Sequence, residues 1–249
     1  SFGDSIHLNK MNNFKLKKTK NICVVSFNRN KSMNALNSKT LKELISINNE
    51  LKKDFKTRVI IYQTSGENFS AGADIKEIPK KKSDIETWKN NLGKEVIQSI
   101  LQLDQITISS LKGYCLGGAA CIATACDFRI ASENTLLGYP EINLGMNLNW
   151  FGLPLILRLI GPAKTKKMVI GGELENANTL LDWGLIDQVC KTEDLEKITF
   201  DEAKKYARKQ PIPAQMIKRS VNALTYQNDQ SIMHMDFDQF LLSREYVKN

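Results

Sequence analysis

Two short glycine-bearing segments have the residue types best suited to holding negative charge. Residues 69–77 read FSAGADIKE and follow an apolar, β-branched run and a Ser-Gly-Glu-Asn turn. Small side chains there let a ligand approach the main chain closely. Residues 112–120 read KGYCLGGAA and join a strand-like run to a stretch of small apolar residues. A Gly-Gly pair opening a helix leaves N–H groups without intrahelical acceptors, with the positive end of the helix dipole behind them. Such an end can hold an anion. Each segment also has a plainer reading. The first is an ordinary glycine loop, and the second is tight strand-to-helix packing that needs glycine.

Elements that could position these segments follow from the periodicity. Residues 21–27 (NICVVSF) and 58–64 (RVIIYQT) read as buried strands. Between them, residues 40–55 place Leu41, Leu44, Ile45 and Leu51 on one face and read as an amphipathic helix. A polar, lysine-rich loop over residues 79–89 leads into a helix ending near Leu103. Residues 105–112 read as a strand, 118–126 as a helix buried on every side, and 127–131 as a returning strand. Pro162 opens a helix over residues 162–170. A helix over 178–183 ends at Gly184, and a short strand spans 186–189. The remainder reads as helices over 200–210, 214–224 and 231–246. Strand–helix alternation followed by a helical tail predicts an α/β core with a C-terminal helical appendage. We divide the chain at residue 190, with the core over 1–190 and the helical region over 191–249.

The bulk properties narrow the classes. The chain has 249 residues, 42% hydrophobic and 25% charged, the balance of a globular protein with a large core. No run of apolar residues is long enough for a transmembrane helix, and the start has no signal-like apolar stretch. The five cysteines, mostly inside apolar runs, predict buried thiols and a cytoplasmic setting. Only His7 and His234 are available, without a Cys-x-x-Cys pair, which argues against a zinc site. His234 reads as a packed or interface residue, and Trp88 and Trp183 read as core. The net charge of +8 is carried by lysine clusters at residues 15–20, 52–56 and 80–82. A solvated basic face is favoured over a nucleic-acid surface, and a basic rim would also attract an anionic ligand.

The two glycine segments, in this order, resemble the crotonase (enoyl-CoA hydratase/isomerase) family. Four further stretches carry the resemblance: RNKSMNAL at 29–36, CDFRIA at 126–131, PEINLG at 140–145 and WGLID at 183–187. It implies a crotonase-like spiral of ββα units whose C-terminal helices build trimers, often hexamers. It implies an oxyanion hole formed by the backbone N–H groups of Ala73 and Gly118. Lys31, Ser32, Ala35, Ala71, Ile75 and Lys76 fall where family members line the coenzyme A groove. Removing a proton beside a thioester carbonyl puts negative charge on its oxygen, and one preorganised donor is worth roughly 3 kcal/mol of barrier. No separate cofactor is expected, since coenzyme A is part of the substrate.

The carboxylate count separates the reactions. Hydratases of this family carry two glutamates that hold a water. Here Glu141 matches the second, and Cys121 stands where the first would be. A thiol in an apolar helix is a poor proton shuttle, so Cys121 reads as a packing residue at the acyl pocket. The glycine-rich stretch usual after Leu-Gly is replaced by MNLNWFGLP at 146–154, and Trp150 there would shape a dry acyl pocket. One glutamate in a dry pocket favours isomerisation of a 3-enoyl to a 2-enoyl thioester, with Glu141 as both base and acid. A hydratase using Glu141 with Tyr139, Asn149 or the Asp74/Glu77 pair remains open. So do a dehydratase or decarboxylase of groups on an acyl carrier protein, and a non-catalytic or RNA-binding member.

Overall fold

The computed structural model describes residues 12–77, 83–226, 228–229 and 235–247. His234 and residues 78–82 lie outside them.

Among the described residues the main sheet has six strands in the order β1-β2-β3-β4-β6-β9. They are β1 (Phe14–Thr19), β2 (Ile22–Phe27), β3 (Val59–Thr64), β4 (Ile106–Leu111), β6 (Phe128–Ser132) and β9 (Gln188–Cys190). All pairings are parallel except β1 with β2. A sheet covered on both faces needs apolar residues at every position, and β2 is buried along its whole length. Alternation then sorts the side chains. Val25, Phe27, Ile60 and Tyr62 face one layer, while Val24, Val59 and Ile61 face the other. The first layer holds α1 (Ser38–Lys52), α3 (Leu92–Leu101) and α4 (Gly118–Ala125). The second is α7 (Leu195–Ala207), which contributes Leu195, Ala203 and Ala207.

A smaller sheet orders β5 (Tyr114–Leu116), β7 (Leu136–Gly138) and β8 (Leu174–Asn176). These three-residue strands escape a periodicity argument. So does β1, whose lysines the sequence presents as a charge cluster. Lysines on an edge strand oppose pairing with another chain, and Lys18 reaches Asp54 at 2.5 Å. The predicted strand at 186–189 sits two residues later, as β9.

Helices α2 (Asp84–Lys89), α5 (Gly152–Gly171), α6 (Ala177–Asp182), α8 (Pro211–Tyr226) and α9 (Asp236–Val247) complete the fold. The predicted helix at Pro162 is the second half of α5, which breaks at Gly161 (φ 74°, ψ 173°). Its first half, from Gly152, was not foreseen. Trp183 packs against the core, as expected. Trp88 does not: it is exposed on α2, and its indole N–H donates to Asp238 of α9 at 2.8 Å. Cys23, Cys115, Cys121 and Cys126 are buried, Cys190 is half-buried, and all five are free thiols.

Helix α4 is buried at every residue, so its ends need internal partners. At the C-terminal end the buried Arg129 donates to the carbonyls of Cys126 (2.8 Å) and Leu185 (2.6 Å), and reaches Asp187 at 3.5 Å. A buried guanidinium bound to carbonyls is costly to remove, because the acceptors stay behind unpaired. Arg129→Ala should therefore lower stability by about 3 kcal/mol or more. The shift of the urea unfolding midpoint measures this, and a change under about 1 kcal/mol would contradict it.

Candidate active site

The site grows from β5, which is held on both sides. On one side, Ser70 N–H donates to Tyr114 O (2.9 Å) and Leu116 N–H donates to Ser70 O (3.1 Å). On the other, β5 pairs in parallel with β7, and Gly117 N–H donates to Gly138 O at 2.9 Å. The chain leaving Gly138 enters a 3-10 turn at Pro140–Leu144 that carries Glu141. One short strand therefore brings together residues 70–73, the start of α4 and Glu141.

Gly72 (φ +83°) makes the close approach feasible. A Cβ at this position would lie 2.5 Å from Leu116 O and 3.7 Å from Gly118 N. Gly117 (φ 55°, ψ −120°) turns the chain from β5 into α4, and no side chain caps the helix. The N–H groups of Ala73 and Gly118 donate to no protein acceptor among the described residues. The result is a pair of neighbouring free donors, one at a helix N-terminus.

Residues 31–35 and 71–76 are joined edge to edge. Ala71 N–H donates to Met33 O, Leu36 N–H to Gly72 O and Asp74 N–H to Leu36 O, at 2.8–3.0 Å. Lys31, Ile75 and Lys76 are exposed on this strip, and Ser32, Ala35 and Ala71 are half-buried. Met33 and Asn34 both adopt left-handed backbone (φ 50° and 54°). The buried Asn34 amide holds that turn, donating to Thr64 Oγ1 (2.8 Å) and Asn68 O (2.9 Å). Its oxygen accepts from Arg29 N–H at 2.8 Å. Asn34 is a positioning residue the sequence reading passed over; an asparagine inside MNAL, a residue type tolerant of left-handed backbone, was the available signal.

Glu141 points at the Gly117 turn. A Cβ on Gly117 would come 2.6 Å from Glu141 Oε1, so only glycine leaves room for the carboxylate. Glu141 Oε2 is buried and has no hydrogen-bond partner. Burial raises the carboxyl from 4.5 to about 7, only partly offset by a backbone hydrogen bond. A carboxyl in that range is poised to take and return protons near neutral pH.

Cys121 lies one helical turn along α4 and is fully buried. Its thiol packs against Gly152 and reaches Asn149 O at 3.9 Å. Burial, and then the nearby Glu141 charge, push this thiol well above its ordinary value, so it is neither a base nor a nucleophile. Trp150 covers the same helix start: its six-membered ring occupies the side of Gly118 where a Cβ would project. Of the other candidate partners of Glu141, Asn149, Asp74 and Glu77 are engaged elsewhere, while the Tyr139 hydroxyl is buried without a hydrogen-bond partner. Tyr139 is fully buried, and burial raises its phenol well above the usual range. Asn149 Oδ1 accepts from Trp150 N–H (2.7 Å), Asp74 pairs with Arg29 (3.4 Å), and Glu77 accepts from Ser38 N–H (2.8 Å).

Comparison with known proteins agrees with this geometry. The sequence model of the enoyl-CoA hydratase/isomerase family matches residues 17–246. The chain is 34% identical over 215 residues to the short-chain-enoyl-CoA hydratase of Clostridium acetobutylicum, covering 86% of this chain and 82% of that protein. It is 33% identical over 196 residues to the crotonyl-CoA hydratase of Syntrophomonas wolfei, covering 78% and 74%. The crystal structure of enoyl-CoA hydratase from Bacillus anthracis superposes with a TM-score of 0.81 at 28% identity, covering 94% and 90%. The enoyl-CoA hydratase/isomerase structure from Pseudoalteromonas atlantica gives 0.85 at 18%, covering 93% and 91%, a likeness of fold. The chain belongs to the enoyl-CoA hydratase/isomerase family and has the crotonase fold, with a run of helices at its C-terminal end.

The raised Glu141 carboxyl has a stability consequence of definite sign. The folded state holds that proton more tightly than the unfolded chain, so stability falls as pH rises through the window from 4.5 to about 7. Glu141→Gln removes the buried charge. At about pH 8 the variant should be more stable than wild type by up to ~3 kcal/mol, and the gap should close below about pH 4.5. Thermal unfolding across that range checks this, and a gap independent of pH would contradict it.

Proposed function

We propose that the protein moves the double bond of an enoyl-CoA thioester from the 3- to the 2-position. The observation that carries this reading is the single carboxylate at Gly117: Glu141 stands beside two free backbone donors, and Cys121 stands where a hydratase would carry the first glutamate. The thioester oxygen would sit between Ala73 N–H and Gly118 N–H, which stabilise the charge that develops when a C2 proton leaves. Glu141 would take that proton and return it at C4, so it ends the cycle as it began and no cofactor is consumed. The exposed Lys31 and Lys76 stand on the strip where the phosphate-bearing part of coenzyme A would lie. Water addition is the second reading, favoured by the hydratase names of the relatives and by the unpartnered Glu141 Oε2, which could orient a water.

Assembly as a trimer or hexamer is part of the same proposal. Helix α8 exposes Ile212, Met216, Ile217, Val221 and Leu224, each more than half accessible, and contiguous exposed apolar surface marks sites of association. Analytical ultracentrifugation should give three or six times the monomer mass, and a monomer would contradict it. No described helix is long and apolar enough to cross a membrane.

The reaction test supplies a 3-enoyl-CoA and, separately, a 2-enoyl-CoA, and follows products by chromatography with mass detection. The expected result is conversion of the 3-enoyl to the 2-enoyl isomer without gain of mass. Glu141→Gln should slow it at least about a hundredfold. The rate should rise with pH around about 7, where the carboxyl loses its proton. Rapid gain of water from the 2-enoyl substrate would replace this reading by the hydratase one.

A further inference from the structure

We infer that the Trp150 indole is the end wall of the acyl pocket and restricts the substrate to short acyl chains. The inference rests on the thioester reading above. Trp150 and Phe151 are consecutive residues in left-handed backbone (φ 60° and 54°), a strained arrangement for large side chains. It throws the indole between two helices rather than along the loop. Its five-membered edge meets Gly93 of α3, where a Cβ would fall 1.9 Å from Cε2 and 2.0 Å from Nε1. Its six-membered edge meets Gly118 of α4, where a Cβ would fall 2.3–2.7 Å from three ring carbons. Neither helix could carry any other residue at that place with the ring as it stands.

The position relative to the chemistry makes this a matter of specificity. Gly118 supplies the donor for the thioester oxygen, and Gly117 lies against Glu141, which must reach the carbon next to the carbonyl. An acyl chain growing from that carbon past Gly118 runs onto the indole. Next to the ring the loop is packed: Leu148 and Phe151 are buried, and Gly152 is packed by Cys121 and Leu148, while a cavity of about 300 Å³ begins only beyond Phe151.

The loop that carries the ring is held through its main chain and through Asn147. Asn149 Oδ1 accepts from the backbone N–H of Trp150 at 2.7 Å. The buried Asp236, at the start of α9, accepts from Phe151 N–H at 3.0 Å. Helix α9 adds Ser243 Oγ, which accepts from Asn147 N–H (3.1 Å), and Gln239 Oε1, which accepts from Asn147 Nδ2 (2.9 Å). Three of these four bonds tie the loop to a distant helix, which fixes the backbone from which the ring projects. A long acyl chain would have to displace the ring from a loop held in this way.

The test compares binding of saturated butanoyl-, hexanoyl-, octanoyl- and decanoyl-CoA by calorimetry, for wild type, Trp150→Phe, Trp150→Leu and Trp150→Ala. Saturated thioesters report binding without turnover. Wild-type affinity should stop rising, or fall, beyond butanoyl-CoA. In Trp150→Ala it should keep rising by about tenfold for each two carbons until the opened space is filled. The Phe and Leu variants should give graded shifts and keep the inference testable if the Ala variant does not fold. Parallel chain-length profiles in wild type and variants would overturn the wall while leaving the thioester reading intact. Failure of wild type to bind any of the four more tightly than coenzyme A itself would overturn both.

Discussion

The structure depends on one close backbone approach. Residues 70–73 lie against β5 so tightly that Gly72 has no space for a Cβ beside Leu116 O. Two consequences follow from that contact. It brings the N–H of Ala73 next to the N–H of Gly118, and it fixes which residues can flank them. Donors built from main chain need no side-chain ordering at the moment of reaction, which is why they stabilise developing charge efficiently. The cost is steric, and it explains the small residues on both sides of the approach.

The remaining elements hold this approach in place. β7 pairs with β5 and delivers Glu141 three residues past Gly138, so strand register, rather than the loop's own preference, sets where the carboxylate sits. Asn34 holds the turn that feeds residues 71–74. Arg129 satisfies carbonyls at the far end of α4. Burial then does the electrostatic work. The same desolvation that raises Glu141 toward neutrality keeps Cys121 and Tyr139 protonated, because the solution must be far more basic before either gives up its proton. One group titrates in a useful range, and its neighbours do not compete with it.

Much of this was legible in the sequence, and the exceptions have physical causes. β2, β3 and β4 are buried on both faces and read as continuous apolar runs. The apolar helix after Gly-Gly announced α4, and the two glycine segments marked both donors. β5, β7 and β8 are three residues each and were not read as strands, although they assemble the site; the equally short β9 was seen because Ile186 and Val189 follow a clear helix stop at Gly184. β1 was masked by lysines that protect an edge. The first half of α5 was hidden because it starts from left-handed Trp150 and Phe151, which break the usual helix-start pattern, and is capped from afar by Asp236. Gly72, Gly117 and Asn34 are backbone specialists whose roles appear only when the partner segment is in place.

Polarisation of a thioester carbonyl by Ala73 N–H and Gly118 N–H together can be read by isotope-edited infrared spectroscopy. A saturated acyl-CoA carrying carbon-13 at the carbonyl is bound to the protein, and its stretching band is compared with that of the free ligand in water. Two fixed donors in a water-poor site must weaken the carbonyl bond more than bulk water does. The bound band should lie at lower frequency and be narrower than in water. A band at the aqueous position, or above it, would show that the two N–H groups do not meet the oxygen.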